Sequence, residues 1–364
     1  MWVKKWLQRL PVVKQYQFKW VLLIAFYWTL IDLIRFSVFV WIEKDVDYPF
    51  IYVSHLLAFV YFLSVFLCSV WMAYLIVITL KKSFRHLPFR IGIIIKTIIL
   101  YGIALLFYSV LFFSIYYFTY DLSFAQIAKA YTGYFFYDYY LLNNSAVWIM
   151  LFIVTQLIVE INEKYSPGIF RAILAGKYIV PQEEKKIIMF IDLKDSTAIA
   201  EQLGHKTYFL FIRDFIYHTS LAILKWEADI YQYVGDEVVL SWPATEKNYT
   251  RCIQALLEVR KELQKENDYY RSKYGMIPDF RAGIHTGNVM IGEIGVIKKD
   301  LAMSGDSMNI SARIKNMVTD LNKKFIATRD FVEAAGLKDF QVESAGIIEL
   351  KGKETGVELF ILQL

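Results

Sequence analysis

Hydrophobic positions along this chain fall into two regimes. Up to about residue 161 they form long, nearly unbroken runs, and beyond it they recur at the shorter periods of amphipathic helices and strands. A helix needs about 20 apolar residues to cross a bilayer. Four runs meet that need, at roughly 18–41, 50–80, 91–119 and 144–161. The second and third are longer than required and predict tilt or protrusion; the fourth is the shortest. Asp32 and Arg35 interrupt the first run three residues apart, on one helical face. They could neutralise each other or shape a sensing site. Lys96 lies close enough to a run's end to snorkel. The tyrosine-rich stretch 131–140 suits either the membrane interface or an aromatic cluster between helices.

From Asn162 the character changes. "NEKYSPGIFRAILAGKYIVPQEEKK" is charged and broken by Pro167, Gly168, Gly176 and Pro181, which predicts a coupling linker over 162–186 with a short helix near 168–174. After Lys186, strand and helix patterns alternate. "IIMFID" reads as a strand, "DSTAIAEQLG" as a helix start, and "KTYFLFIRDFIYHTSLAILKW" has a helical apolar period. "DIYQYVGDEVVLSW" reads as a hairpin bent at Val234-Gly235-Asp236-Glu237. A helix over about 247–274, a strand pair in "DFRAGIHTGNVMIGEIGV", a helix over about 307–318 and three closing strands complete the soluble half. The expectation is an N-terminal four-helix membrane domain, 1–161, followed by an α+β domain, 187–364, with helices on one face.

Composition agrees with this division. The hydrophobic fraction of 57% exceeds the globular norm of about 45–50%, as a chain that is part membrane protein should. A net charge of only +5 argues against nucleic acid as a partner. The two cysteines, Cys68 and Cys252, sit in unrelated contexts and point to a reducing compartment for the soluble part. The N-terminal basic region runs through Lys19, and the apolar run after it is too long for a cleavable signal, so it reads as a retained anchor. Lys4, Lys5, Arg9, Lys14 and Lys19 precede the first run. The loops that follow are acidic ("EKDVDYP"), basic ("KKSFRHLPFR") and acidic again. This alternation predicts a multi-pass protein of the cell's inner or plasma membrane, with both termini and the soluble domain in the cytoplasm.

Two acids carry the candidate chemistry. Asp192 ends the first strand and Asp236 sits in the hairpin turn; in a βαββ arrangement these points lie side by side. Paired carboxylates repel unless a cation bridges them, and Mg²⁺ takes such oxygens together with substrate phosphates. Lys194, Asp195, Ser196 and Thr197 lead from that strand into a helix whose free N–H groups attract phosphate.

"FIDLKDSTAIAEQLG", "YQYVGDEVVLSW", "RAGIHTGNVMIGEIG" and "MSGDSMNISARI", in this order, resemble the class III nucleotide cyclases over roughly residues 187 to 364. "VGDE" alone is also similar to the diguanylate cyclase turn, but "SGDSMNISARI" does not fit that family. The resemblance implies a ferredoxin-like βαββαβ core and a head-to-tail homodimer with its sites at the interface. It implies that Asp192 and Asp236 of one chain bind two divalent cations, Mg²⁺ or Mn²⁺. Asn309 and Arg313 would come from the other chain, Asn309 to orient the ribose and Arg313 to stabilise phosphate charge. The implied reaction is attack of the ribose 3′-oxygen on the α-phosphate of ATP, giving cyclic AMP and pyrophosphate. Lys351 or Lys353 could reach phosphates, and His285 is structural. At the family's two base-reading positions stand Gln232 and Ala302, which match neither the adenine nor the guanine pattern. ATP is the expected substrate. GTP, and a nucleotide-binding signalling module without catalysis, are the alternatives.

Overall fold

A computed structural model describes residues 12–42, 55–84, 87–120, 122–137, 139–164, 172–173, 175–297, 299–320, 324–338, 341–348 and 356–364. The chain divides into two compact units, Met1–Lys164 and Tyr165–Leu364. The helix expected near 168–174 falls largely outside the described residues.

In the first unit, α1 is Val12–Ile42. α2 begins as His55–Tyr74 and passes through a π-helical stretch, Leu75–Leu80. α3 is Phe89–Tyr120, α4 Phe124–Tyr137 and α5 Tyr139–Lys164. Four segments are long and apolar enough to cross a membrane: Val13–Val38, Ala58–Ser83, Phe89–Phe118 and Ser145–Asn162. Their outward apolar side chains, such as Phe26, Ile98 and Leu106, are exposed, as lipid-facing residues would be. Polar groups inside the unit pair across helices. Trp28 Nε1 donates to Thr155 Oγ1 at 3.0 Å, and Gln156 Nε2 to Thr97 Oγ1 at 3.0 Å. Asp32 is buried and accepts the hydroxyls of Tyr61 at 3.1 Å and Tyr108 at 3.0 Å. Tyrosines from α2 and α3 thus serve the carboxylate for which sequence spacing suggested only Arg35. α4 was not expected. Its Tyr131 packs on Phe112 and Phe113 and shares a hydrogen bond with Ser109 at 2.6 Å, which supports the aromatic-cluster alternative for that residue.

The second unit is built on β1, Gln182–Leu193, buried along six consecutive residues. Such a run marks a strand covered on both faces. β1 pairs antiparallel with β3 (Glu237–Pro243) on one side and β4 (Phe280–Ile294) on the other. With β2 (Asp229–Val234), β6 (Phe325–Thr328), β7 (Val342–Ile348) and β8 (Val357–Leu362) the sheet order is β2-β3-β1-β4-β6-β8-β7, and β5 (Asp300–Ser304) pairs with β4. One face carries α6 (Ser196–Leu224, broken at Gly204), α7 (Glu246–Lys265), α8 (Asn267–Tyr274) and α10 (Arg329–Ala335). Ile187, Met189 and Ile191 of β1 meet Phe211, Phe215, Leu256 and Phe331 there. α9, Asp306–Asp320, lies on the other face over Ile326 and Leu359. The helices are therefore not confined to one face as the sequence suggested. Alternation explains it: Phe325 and Ala327 point to the first core while Ile326, between them, points to α9.

A second correction concerns β4, expected as two strands. It is one 15-residue strand. Gly287 within it makes no turn; a Cβ there would collide with the Ser307 side chain at the start of α9. Glycine lets the helix settle on the strand.

Asp214 on α6 fastens α8. It accepts Lys273 Nζ at 2.6 Å and the hydroxyls of Tyr269 at 2.7 Å and Tyr274 at 2.5 Å. Burial pushes its carboxyl up, but these donors outweigh burial and hold it at about 2. A depressed folded pKa gives stability that is present above the unfolded value, about 3.9, and is lost as pH falls through about 2. The thermal midpoint of the wild-type chain should fall across that window, by the equivalent of about 2 kcal/mol. Asp214→Asn should start lower at neutral pH and stay flat there; parallel pH profiles for the two chains would contradict the assignment.

Candidate active site

Asp192 is the penultimate residue of β1 and pairs in register with Glu237 of β3 and Arg281 of β4. It continues the side-chain parity of Ile188 and Phe190, so it projects to the α9 face. Asp236 is the neighbour of Glu237, in a two-residue turn closed by Val234 and Glu237. Gly235, with φ 64°, occupies the first central position, where a type II′ hairpin turn calls for glycine. The two acids therefore stand at the same end of adjacent strands.

Tyr208 of α6 ties them together. Burial raises its phenol first, the negative charge of Asp236 next, a hydrogen bond with Ser196 opposes both, and Asp192 adds a further upward push. The phenol thus lies within electrostatic range of both carboxylates. Asp236 Oδ2 is buried and has no hydrogen-bond partner among the described residues. A buried carboxylate oxygen left this way is costly unless a cation meets it. This hard oxygen, beside a second carboxylate, fits a divalent ion of the Mg²⁺ kind.

The turn from β1 into α6 is held on both sides. Lys194 N–H donates to the Asp279 carbonyl at 2.9 Å, and its ammonium lies 3.9 Å from the Asp279 carboxylate. Asp195 takes a left-handed φ of 58° and pairs with Arg281 at 3.8 Å. Ser196 serves Tyr208, and Thr197 is exposed. Two of the four residues expected to meet phosphate thus have charged partners within the chain.

Gln232 is exposed beside a bulge in β2, and Ala302 on β5 pairs with Gly292. Their neighbours join: Met303 N–H donates to the Tyr231 hydroxyl at 3.0 Å. This brings the two expected base-reading positions into one neighbourhood. Asn309 is exposed and Arg313 half-buried, one turn apart on α9. Asn309 stands apart from the acids of its own chain. Ser307 overlies Gly287, which pairs with Lys186, six residues or about 20 Å along β1 from Asp192 at about 3.3 Å per residue. His285 is buried, with Nδ1 at 3.0 Å from Thr328 Oγ1, which fits its structural reading. Lys351 and Lys353 lie outside the described residues. Tyr208 and Arg281 escaped the sequence reading. Tyr208 sits in an ordinary apolar helical period, and only strand register brings Arg281 beside Asp192.

This fold and acid pair define a nucleotidyl cyclase domain, and the chain belongs to that family: the family described as "Adenylate and Guanylate cyclase catalytic domain" matches residues 179–363. The chain is 28% identical over 214 residues to Adenylate cyclase 2 of Rhizobium meliloti (strain 1021), covering 57% of each protein. It is 25% identical over 179 residues to Adenylate cyclase 1 of the same organism, covering 47% of this chain and 26% of that one. It thus spans little more than half of the first relative's length and about a quarter of the second's. Among solved structures, a bacterial light-regulated adenylyl cyclase superposes with a TM-score of 0.52 at 18% identity, over 60% of this chain and 64% of that one, and shares the fold.

Proposed function

We propose that this chain is a membrane-anchored adenylate cyclase, converting ATP to 3′,5′-cyclic AMP and pyrophosphate at the interface of a homodimer. The observation that carries the reading is the unpartnered buried oxygen of Asp236 beside Asp192, in a domain of this family. In this proposal Asp192 and Asp236 hold two divalent cations. When bound, such ions stabilise charge on the attacking and leaving oxygens of an in-line displacement. The chain's own residues do the rest. Tyr208, hydrogen-bonded to Ser196, stands near both acids. The amides opening α6, around Asp195 to Thr197, face the triphosphate. Asn309 of a second copy positions the ribose, and Arg313 of that copy forks onto phosphate oxygens as pyrophosphate departs. Lys351 is assigned to the phosphates as well. No protein nucleophile is needed, so positioning supplies much of the rate.

Exposed apolar residues support the dimer. Val296 and Ile297 at the β4–β5 tip are 92% and 102% exposed, next to Ile294, in a fold whose members typically dimerise. The organisation proposed is a membrane domain over 1–161, a coupling linker over 162–186 and the catalytic domain over 187–364, with both termini and the catalytic domain on the cytoplasmic side of the cell membrane. The basic N-terminus and second loop support that sidedness.

Gln232 leaves a second reading open, GTP as substrate, because an amide both donates and accepts and can meet either purine edge. Purified chain given equal ATP and GTP with Mn²⁺ should form mainly cyclic AMP. A predominance of cyclic GMP would transfer the assignment to the second reading, and no cyclic product from a folded dimer would leave a nucleotide-binding signalling module.

A further inference from the structure

On the helical face, away from β1's acids, His218 of α6 meets Glu262 and Glu266 at the α7–α8 junction. One ligand atom from each of the three lies within 4.8 Å of the others. Glu262 and Glu266 are four residues apart and share a helical face. His218 Nδ1 is buried and finds no hydrogen-bond partner among the described residues, so its ring is not committed to either tautomer by that nitrogen. Burial, the largest influence, lowers the imidazole's pKa against the pull of Glu266, Glu262 and Asp214. The cation now meeting the carboxylates is Lys265, 3.3 Å from Glu262 and 3.2 Å from Glu266. Its side chain is 66% exposed and can swing into solvent.

We propose that His218, Glu262 and Glu266 form a binding site for a first-row transition ion of the Zn²⁺ kind, with Lys265 as its built-in competitor. One imidazole and two carboxylates, with a water in the fourth position, make a four-coordinate N/O set, which selects Zn²⁺ or Co²⁺ over Mg²⁺. Tetrahedral ligation at about 2.0–2.2 Å requires the three groups to close by only part of their present separation. The ion would staple α6 to the turn between α7 and α8.

The test is titration of the full chain in detergent with Zn²⁺ against a chromophoric chelator, in excess Mg²⁺ so that the catalytic acids are occupied. Co²⁺ is then added to read coordination from its visible absorption. The wild-type chain should take one Zn²⁺ and give the intense visible bands of four-coordinate Co²⁺. His218→Gln should weaken binding by about a hundredfold, since losing even outer partners of a metal ligand costs about 10- to 100-fold. Lys265→Met, an exposed change that leaves the core alone, should tighten binding roughly tenfold by removing a nearby like charge. Equal Zn²⁺ affinity in wild type and His218→Gln, no tightening in Lys265→Met, or only weak six-coordinate Co²⁺ absorption would each overturn the proposal.

Discussion

Asp236→Asn in the full chain is expected to lower cyclic AMP formation by on the order of a thousandfold or more, with little change in the domain's thermal midpoint. The size follows from what the carboxylate does. Removing one preorganised group that meets developing charge typically costs about 10² to 10³ in rate, and Asp236 would hold a full divalent charge in place. Stability should hold because Asp236 sits in a turn, and its Oδ2 makes no hydrogen bond among the described residues that the change would break. Asp192→Asn should show a similar loss. Near-wild-type turnover in the Asp236 variant would remove this residue from the site.

The second large effect lies outside the acid pair. Gly287→Val adds a β-branched residue to the middle of a strand, a change that strand preference alone favours. The structure predicts the opposite. A Cβ at 287 runs into the Ser307 side chain and comes within 3.0 Å of His285 Nε2. His285 is buried and held by Thr328, so the strand side has little room to yield. Over-packing of this kind costs about 1–3 kcal/mol, and here it also pushes on the first turn of α9, ahead of Asn309 and Arg313. The variant should melt lower and lose activity together. Adding Ser307→Gly should restore part of both, and a Gly287→Val chain as stable as wild type would contradict the packing described.

How much could be read in advance depended on the range of the signal. Runs of apolar residues announce a membrane helix locally, and four helices long and apolar enough to cross a membrane are present among the described residues. The hairpin at Gly235 and Asp236 was equally legible, because a glycine at a two-residue bend flanked by β-branched residues admits few other folds. The strand pair expected in "DFRAGIHTGNVMIGEIGV" failed at the same short range: within a short window, glycine in a strand looks like a turn, and only the helix pressed against Gly287, 20 residues later in the chain, reveals its purpose. Tyr208 and Arg281 were invisible because their meaning lies in register and tertiary contact. Asp32 was half legible. Its cost inside an apolar helix was plain, but the tyrosines that satisfy it come from α2 and α3.

The central claim is that acids from one subunit and the Asn309–Arg313 face of another complete a single site. Mixing two inactive full-length chains, Asp236→Asn and Arg313→Ala, tests it directly. Each alone should be inactive, and coexpression should restore a substantial fraction of wild-type cyclic AMP formation, because one of the two sites in the mixed dimer keeps both halves intact. Coexpressed chains that copurify as a mixed dimer and stay as inactive as either parent would contradict it.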